Sequence, residues 1–402
     1  MPGGWALRYR MIVPKPRPDE PPCLAGARAL GPTIRAQAEA IERGRRLPEA
    51  LMDRLHEARL ARMLLPRSAG GDETAPGVYL DTLIELARHD GSVGWNIFVA
   101  NSAALLAAFL PLDAAREIYA RPDALMAWGP PDSQQARAVE GGYRVSGEWG
   151  FASGCRHATW MGAHCQVLEP DGSLRLNSAG RPAIRSLLFP AGEAQLLDDW
   201  NPIGLRGTGS ESYRVEDVFV PERFSATREE PDRRREPGPL YAFTQQSLYA
   251  VGVAGVALGL ADAMLDAFME LARGKTPRGL MRHAENPGVQ AEVSRSLARL
   301  GSARAWLVET VDGVYDGAQD IACIDVPTRA RVRLACSHAI QGAVETAAAL
   351  YRLAGVDAIF PGSAFERRFR DIHTLSQQIQ ARPQHFEATG HVLLGGAPEV
   401  FY

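Results

Sequence analysis

From about Ala25 to Asp132 apolar residues recur at three- and four-residue spacing, which predicts a layer of helices. Ile34, Ala38 and Ile41 fall on one face of a first helix, and Pro48 opens a second that carries Leu51, Leu55 and Ala58. Loops at Pro66 to Asp72 and at Pro111 interrupt the layer. Between about Ser133 and Arg228 the period changes to two. The short runs Tyr143-Arg-Val-Ser, Ala158-Thr-Trp-Met, Cys165-Gln-Val-Leu and Ile184-Arg-Ser-Leu-Leu-Phe are separated by turn signals at Gly141-Gly142 and Asp171-Gly172. This predicts a small β domain of sandwich or barrel type. After the charged, proline-bearing link from Arg228 to Pro239, helical patterning returns near 241–273, 288–317, 328–354 and 364–380. Residues 1–22 carry five prolines from Pro14 to Pro22 and little periodicity, so they read as a flexible tail. The predicted organisation is a tail over 1–22, an N-terminal helical domain over 23–132, a central β domain over 133–230 and a C-terminal helical bundle over 231–402, an α+β fold.

Composition narrows the partners. With 44 basic against 47 acidic residues, no net field gathers nucleic acid or anionic lipid, and both are set aside. The five cysteines are odd in number and lack CxxC spacing, so a reducing, cytoplasmic setting is expected. Two charge-free runs, Gly91 to Leu112 and Pro237 to Ala261, are long enough to span a bilayer. The first contains Asn96 and Asn101 and the second Gln245 and Gln246, and both are rich in Ala, Gly and Ser. Buried helices of a soluble bundle are expected, with no membrane partner.

Candidate chemistry concentrates in the β segment. Ser146-Gly-Glu-Trp-Gly-Phe-Ala-Ser153-Gly154 reads as a strand ending where a hydroxyl, an aromatic face and a flexible backbone are presented together. About fifty residues on, Asp199-Trp200 leads into Gly204-Leu-Arg-Gly-Thr-Gly-Ser210 and a further strand from Tyr213 to Pro221. Two such strand ends suggest a shared site for a planar cofactor, with an indole to wall a ring and hydroxyls to hold a phosphate or ring heteroatom. Gly204-x-x-Gly207-x-Gly209 is not a dinucleotide fingerprint, because its spacing is wrong and it lies between strands. HExxH, GxSxG and the GxxxxGK[ST] loop are absent, so hydrolase and NTPase readings lack their signatures. Cys155, His157, His164 and Cys165 match no zinc spacing and would scatter over both faces of a strand, so no metal is expected.

From about residue 23 onward the chain resembles the acyl-CoA dehydrogenase fold. Gly147 to Gly154, Trp200 and Gly207 to Ser210 are similar to the oxygenase components of two-component flavin monooxygenases. Further landmarks are Pro66 to Gly71, Val218-Phe-Val-Pro221 and Arg370-Asp371. The dehydrogenase branch needs a carboxylate base. The position nine residues past Arg370 holds Ile379, and the alternative position falls at Gln245-Gln246.

The resemblance implies a flavin-dependent monooxygenase. Reduced FMN or FAD from a separate NAD(P)H-dependent flavin reductase would meet O2, form a C4a-hydroperoxide and oxygenate a small aromatic, heteroaromatic or amine substrate within a homotetramer. On the same basis Ser153 would hydrogen-bond flavin N5 with Gly154 beside it, Phe151 and Trp200 would line the ring and substrate space, and Ser210 would help hold flavin or its phosphate. Arg278, with Gln290 as companion, would reach the phosphate of a neighbouring subunit. Gln378 stands where several members place a histidine beside the hydroperoxide, and Asn101 where phenol hydroxylases often carry one. Both amides can orient a hydrogen bond but neither can move a proton. A dehydrogenase-like flavoenzyme with another base, and a catalytically silent relative, remain as alternatives.

Overall fold

Four of the helices begin where a side chain satisfies orphan N–H groups of the first turn. In the computed structural model, which describes residues 20–178, 180–227, 233–319 and 321–397, Asp90 accepts from the N–H groups of Ser92 and Val93, and Asn286 from those of Gly288 and Val289. Thr244 and Asp325 cap two further helices in the same way. The tail expected over residues 1–22 lies, up to residue 19, outside the described residues, as do residues 228–232 of the link.

Five helices come first: α1 (Pro22–Gly44), α2 (Glu49–Glu57), α3 (Pro76–His89), α4 (Gly91–Ala104) and α5 (Leu112–Ile118). Ile34, Ala38 and Ile41 are all buried on α1, as their spacing requires. The helical layer ends sooner than the pattern predicted, because Met126–Trp128 is already a strand, β1, laid parallel against Trp160–Gly162. Three buried residues are too few for either period to show.

The sheet continues with β2 (Gln135–Val139), β3 (Gly142–Ala152), β4 (Trp160–Leu168), β5 (Ile184–Pro190), β6 (Gln195–Leu196), β7 (Glu211–Pro221) and β8 (Ser225–Ala226). Its strands run in the order β6-β7-β3-β2-β4-β5-β8, with β1 also on β4. The two long strands β3 and β7 are antiparallel partners, so the motif ending at Ser153 and the one leading into β7 meet at the same end of the sheet.

The bundle that follows consists of α6 (Gln245–Gly274), α7 (Pro287–Gly317), α8 (Val326–Ala354), α9 (Glu366–Leu375) and α10 (Gln384–Leu393). The stretch predicted as one helix over 364–380 instead breaks after Leu375, and a short 3-10 turn covers Ile379–Ala381. Both long apolar runs are core helices, with 94% and 83% of their most apolar windows buried. Small residues let them approach closely: a Cβ on Gly259 would lie 2.4 Å from Ile84 O of α3, and one on Gly252 would lie 2.5 Å from the Phe98 ring of α4. Because the first obstacle is backbone, Gly259→Ala is expected to force α3 and α6 apart and to cost about 1–3 kcal/mol. Denaturant unfolding of the two proteins measures it, and an unchanged midpoint would contradict this packing.

Candidate active site

The end of β3 does not alternate. Trp149 points inward and stacks on Tyr213 with ring centroids 5.4 Å apart, and Phe151 should follow it into the core. Instead the β3–β7 register slips between Trp149 and Ala152, and Phe151 adopts a left-handed φ of 59°. This bulge turns the Phe151 ring outward, 69% exposed, while Ala152 and Ser153 turn in. A bulky residue in that region costs about 1–2 kcal/mol, which marks the place as one the surroundings over-determine. The Trp200 ring lies edge-on to Phe151 at 6.1 Å.

Behind the ring, Ser153 is buried. Its Oγ accepts from Trp95 Nε1 at 3.1 Å and lies 2.7 Å from Ser210 Oγ, which lies 2.7 Å from Thr208 Oγ1. Gly154, at φ 77°, donates its N–H to Thr208 O and comes so close to α4 that a Cβ there would lie 3.0 Å from Asn96 Oδ1. Asn96 donates its amide hydrogens to Ser92 O and Gly207 O, which leaves its Oδ1 as a buried acceptor without a partner among the described residues. Such an orphan is costly unless a ligand or water completes it. The two strand ends that the sequence pairs, Phe151-Ser153-Gly154 and Trp200-Ser210, are thus brought together.

The glycine-rich loop is held from three sides. Arg45 Nη1 donates to Trp200 O, and Glu211, fully buried, accepts from Trp200 N–H at 2.9 Å and from Arg156 Nη2 at 2.7 Å. Leu205 N–H donates to Asp371 Oδ1 at 2.6 Å, while Leu205 O accepts from both Thr208 Oγ1 and Trp200 Nε1. Burial first, then the neighbouring Asp90 charge, lifts the Asp371 carboxyl from its ordinary range to about 7.

Other expected residues lie elsewhere or act differently. Asn101 is fully buried, with Oδ1 accepting from Leu64 N–H and Nδ2 donating to Leu60 O and Ile97 O. Its hydrogens are all in use, so it braces α4 to the preceding turn and does not face a substrate. Gln378 stands beyond the end of α9, and its Oε1 caps the 3-10 turn through Gln380 N–H at 2.6 Å. That contact fixes the amide's orientation and directs its NH2 away from the turn. Arg278 is exposed on the segment between α6 and α7, and Gln290 donates to Ala284 O on the same segment. Among the described residues neither hydrogen-bonds the Ser153 end of its own chain. Ile379 is half exposed, and Gln245 donates to Ser102 O at the end of α4. His164 bonds Ser186 Oγ at 2.8 Å and Cys155 donates to Gly209 O at 3.3 Å.

Sequence reasoning missed Trp95, Thr208, Glu211 and Asp371 as parts of the site. Trp95 beside Asn96 inside an apolar run carried a faint signal, because an indole N–H buried with an amide needs partners. Glu211 and Asp371 carried none that spacing could reveal.

A sheet whose two long strands end together, with helices before and after it in the chain, has the architecture of the acyl-CoA dehydrogenase fold. Residues 251–383 match the acyl-CoA dehydrogenase C-terminal domain family. The chain is 30% identical over 356 residues to an indole-3-acetate monooxygenase of Acinetobacter baumannii, covering 88% of each protein. It is 28% identical over 358 residues to the oxygenase subunit HsaA, a flavin-dependent monooxygenase of Rhodococcus jostii, covering 86% of this chain and 91% of that one. Among solved structures, XiaF from Streptomyces sp. in complex with FADH2 and glycerol superposes with a TM-score of 0.86 at 24% identity, over 94% of this chain and 96% of that one. The chain belongs to the oxygenase components of flavin-dependent monooxygenases.

The folded chain binds the Asp371 proton more tightly than an unfolded chain does. The stability this gives is fully present below about pH 4 and is lost as pH rises through about 7. Asp371→Asn stays neutral and keeps an acceptor for Leu205 N–H. It is expected to flatten the stability loss between about pH 5 and 8 and to gain on the wild type at the upper end. Denaturant melts at both pH values decide it, and a parallel decline in the two proteins would count against this placement.

Proposed function

We propose that the chain is the oxygenase half of a two-component system, binding reduced FMN or FAD delivered by a separate reductase and hydroxylating an aromatic or heteroaromatic ring of indole type. When bound, reduced flavin supplies the electrons for cleaving O2, one atom of which enters the substrate while the other leaves as water. The observation that carries the reading is the Phe151 ring, forced outward by a left-handed backbone beside the Trp200 edge and in front of the buried Ser153 hydroxyl. The partnerless Asn96 Oδ1 and the tight turn at Gly154 fit a planar polar group brought against the backbone there.

Ser153 is the group for flavin N5, with Phe151 and Trp200 walling the ring and substrate space. Ser210 acts through its hydrogen bonds to Ser153 and Thr208, so its part is to orient Ser153. Gln378 directs an amide NH2 that donates a hydrogen bond but no proton. With Asn101 closed off, no residue assigned to the site supplies a base for a phenol, and this favours a ring that does not need one. The indole-3-acetate monooxygenases of Acinetobacter baumannii and Pseudomonas putida, at 30% and 29% identity, support the same class.

Arg278 and Gln290 belong to the phosphate site of a neighbouring protomer in a homotetramer. Exposed Leu280, Met281, Val356, Ile359 and Phe360 on the bundle support burial of that region by other copies.

The experiment is anaerobic titration with photoreduced FMN and FAD, followed by mixing with ¹⁸O2 and indole-3-acetate, indole or a simple phenol. Incorporation of one ¹⁸O atom into an indole ring is the expected result. Peroxide alone with every ring would refute the substrate class, and no binding of either reduced flavin would refute the function. Phe151→Gly is expected to change stability by less than about 1 kcal/mol, because relief of strain offsets glycine's entropy. It should weaken reduced-flavin binding about tenfold through loss of the ring face.

A further inference from the structure

The buried hydroxyls behind Phe151 form a chain with a fixed direction. Ser153 Oγ lies 2.7 Å from Ser210 Oγ, Ser210 Oγ 2.7 Å from Thr208 Oγ1, and Thr208 Oγ1 2.8 Å from Leu205 O. A carbonyl only accepts, so the single hydroxyl hydrogen of Thr208 goes to Leu205 O. Thr208 Oγ1 must then accept from Ser210, and Ser210, its hydrogen committed, must accept from Ser153. At the other end Trp95 Nε1, which can only donate, occupies one lone pair of Ser153 Oγ at 3.1 Å. All three hydroxyls are buried, which makes each unmade bond costly and the direction firm. Ser153 therefore turns its hydrogen inward and has only a lone pair left for a ligand. Asn96 Oδ1, the partnerless acceptor beside Gly154, adds a second site of the same polarity.

We propose that Thr208 is a positioning residue that, by donating to Leu205 O, fixes Ser153 as an acceptor and so makes the site select reduced over oxidised flavin. This rests on the flavin reading above. Only the reduced ring carries a hydrogen on N5. The oxidised ring presents a bare nitrogen lone pair, which faces the Ser153 lone pair and gains no bond. Delivery by a separate reductase requires such a preference, since the oxygenase must take up flavin after reduction and let it go after reoxidation. The relay gives that requirement an address outside the ring contacts.

The test is the ratio of dissociation constants for oxidised and photoreduced FMN, and likewise FAD, measured anaerobically by quenching of tryptophan fluorescence. Wild type is expected to bind the reduced form more tightly. In Thr208→Val the hydroxyl that accepts from Ser210 is gone, so Ser210 can donate to Ser153 and release the Ser153 hydrogen toward N5. The preference should then fall about tenfold, the worth of one hydrogen bond. Thr208→Ser should restore it. Ser210→Ala breaks the relay one step nearer the ligand and should lower the preference equally, which keeps the test open if the valine variant fails to fold by circular dichroism. A merely structural role would weaken both redox states together and leave the ratio unchanged. That result, or a wild type that favours oxidised flavin, overturns the relay while the flavin site stands. Absence of binding by wild type in either redox state overturns the functional reading as well.

Discussion

The peptide of Leu205 ties the sheet, the helices and the candidate site together. Its N–H is held by the buried Asp371 carboxyl of α9, and its carbonyl takes the hydrogens of Thr208 and of the Trp200 indole. Leu205 itself is left-handed at φ 51°, a conformation that a leucine keeps only where several contacts insist on it. Gly204 beside it packs so closely on α9 that a Cβ would lie 2.3 Å from Arg370 O. The loop and α9 are thereby fastened to each other. The position of Trp200 over the site, the direction of the hydroxyl chain and the run of backbone toward Gln378 are set together.

Phe151 is the complementary constraint. One left-handed residue inverts the inward and outward alternation at the end of β3, so a ring that would have filled the sheet core stands outside it and Ala152, which would have faced outward, is buried with Ser153 behind it. Both strained residues flank the same hydroxyl row, and the strain lies where a ligand is handled. The helices supply the back wall: Trp95 and Asn96 on α4 reach the serine and the glycine turn because α4 is itself locked by the Asp90 cap at its first turn.

Much of the fold was legible because long elements carry many repeats of their period. The helices around Gly252 to Gly259 and the strands from Tyr143 and from Tyr213 were read from pattern alone. The strand at Met126 and the end of α9 were not, since three buried residues fit either period and a break at Ser376 has no proline or glycine to announce it. Phe151, Ser153, Trp200 and Ser210 were singled out because aromatic, hydroxyl and glycine residues cluster in sequence, and the fold brings them together. Asn101 shows the opposite limit. A buried amide that satisfies three backbone groups looks, in sequence, the same as one that greets a substrate. Thr208 was hidden within its own motif, since its importance lies in which way a hydrogen points.

The placement of the acids bears on the chemistry. Carbon acid chemistry needs a carboxylate free to take a proton at the ring, and two buried carboxylates do lie close to the site. Glu211 is fixed between the Arg156 guanidinium and Trp200 N–H, and Asp371 is fixed on Leu205 N–H. Each thus has an oxygen committed to the loop. These acids serve as fasteners, and the groups gathered at the two strand ends are hydroxyls, the Asn96 amide and aromatic rings. Such a set can hold, orient and exclude water, and these are the demands that oxygen transfer from a reduced cofactor makes of a protein.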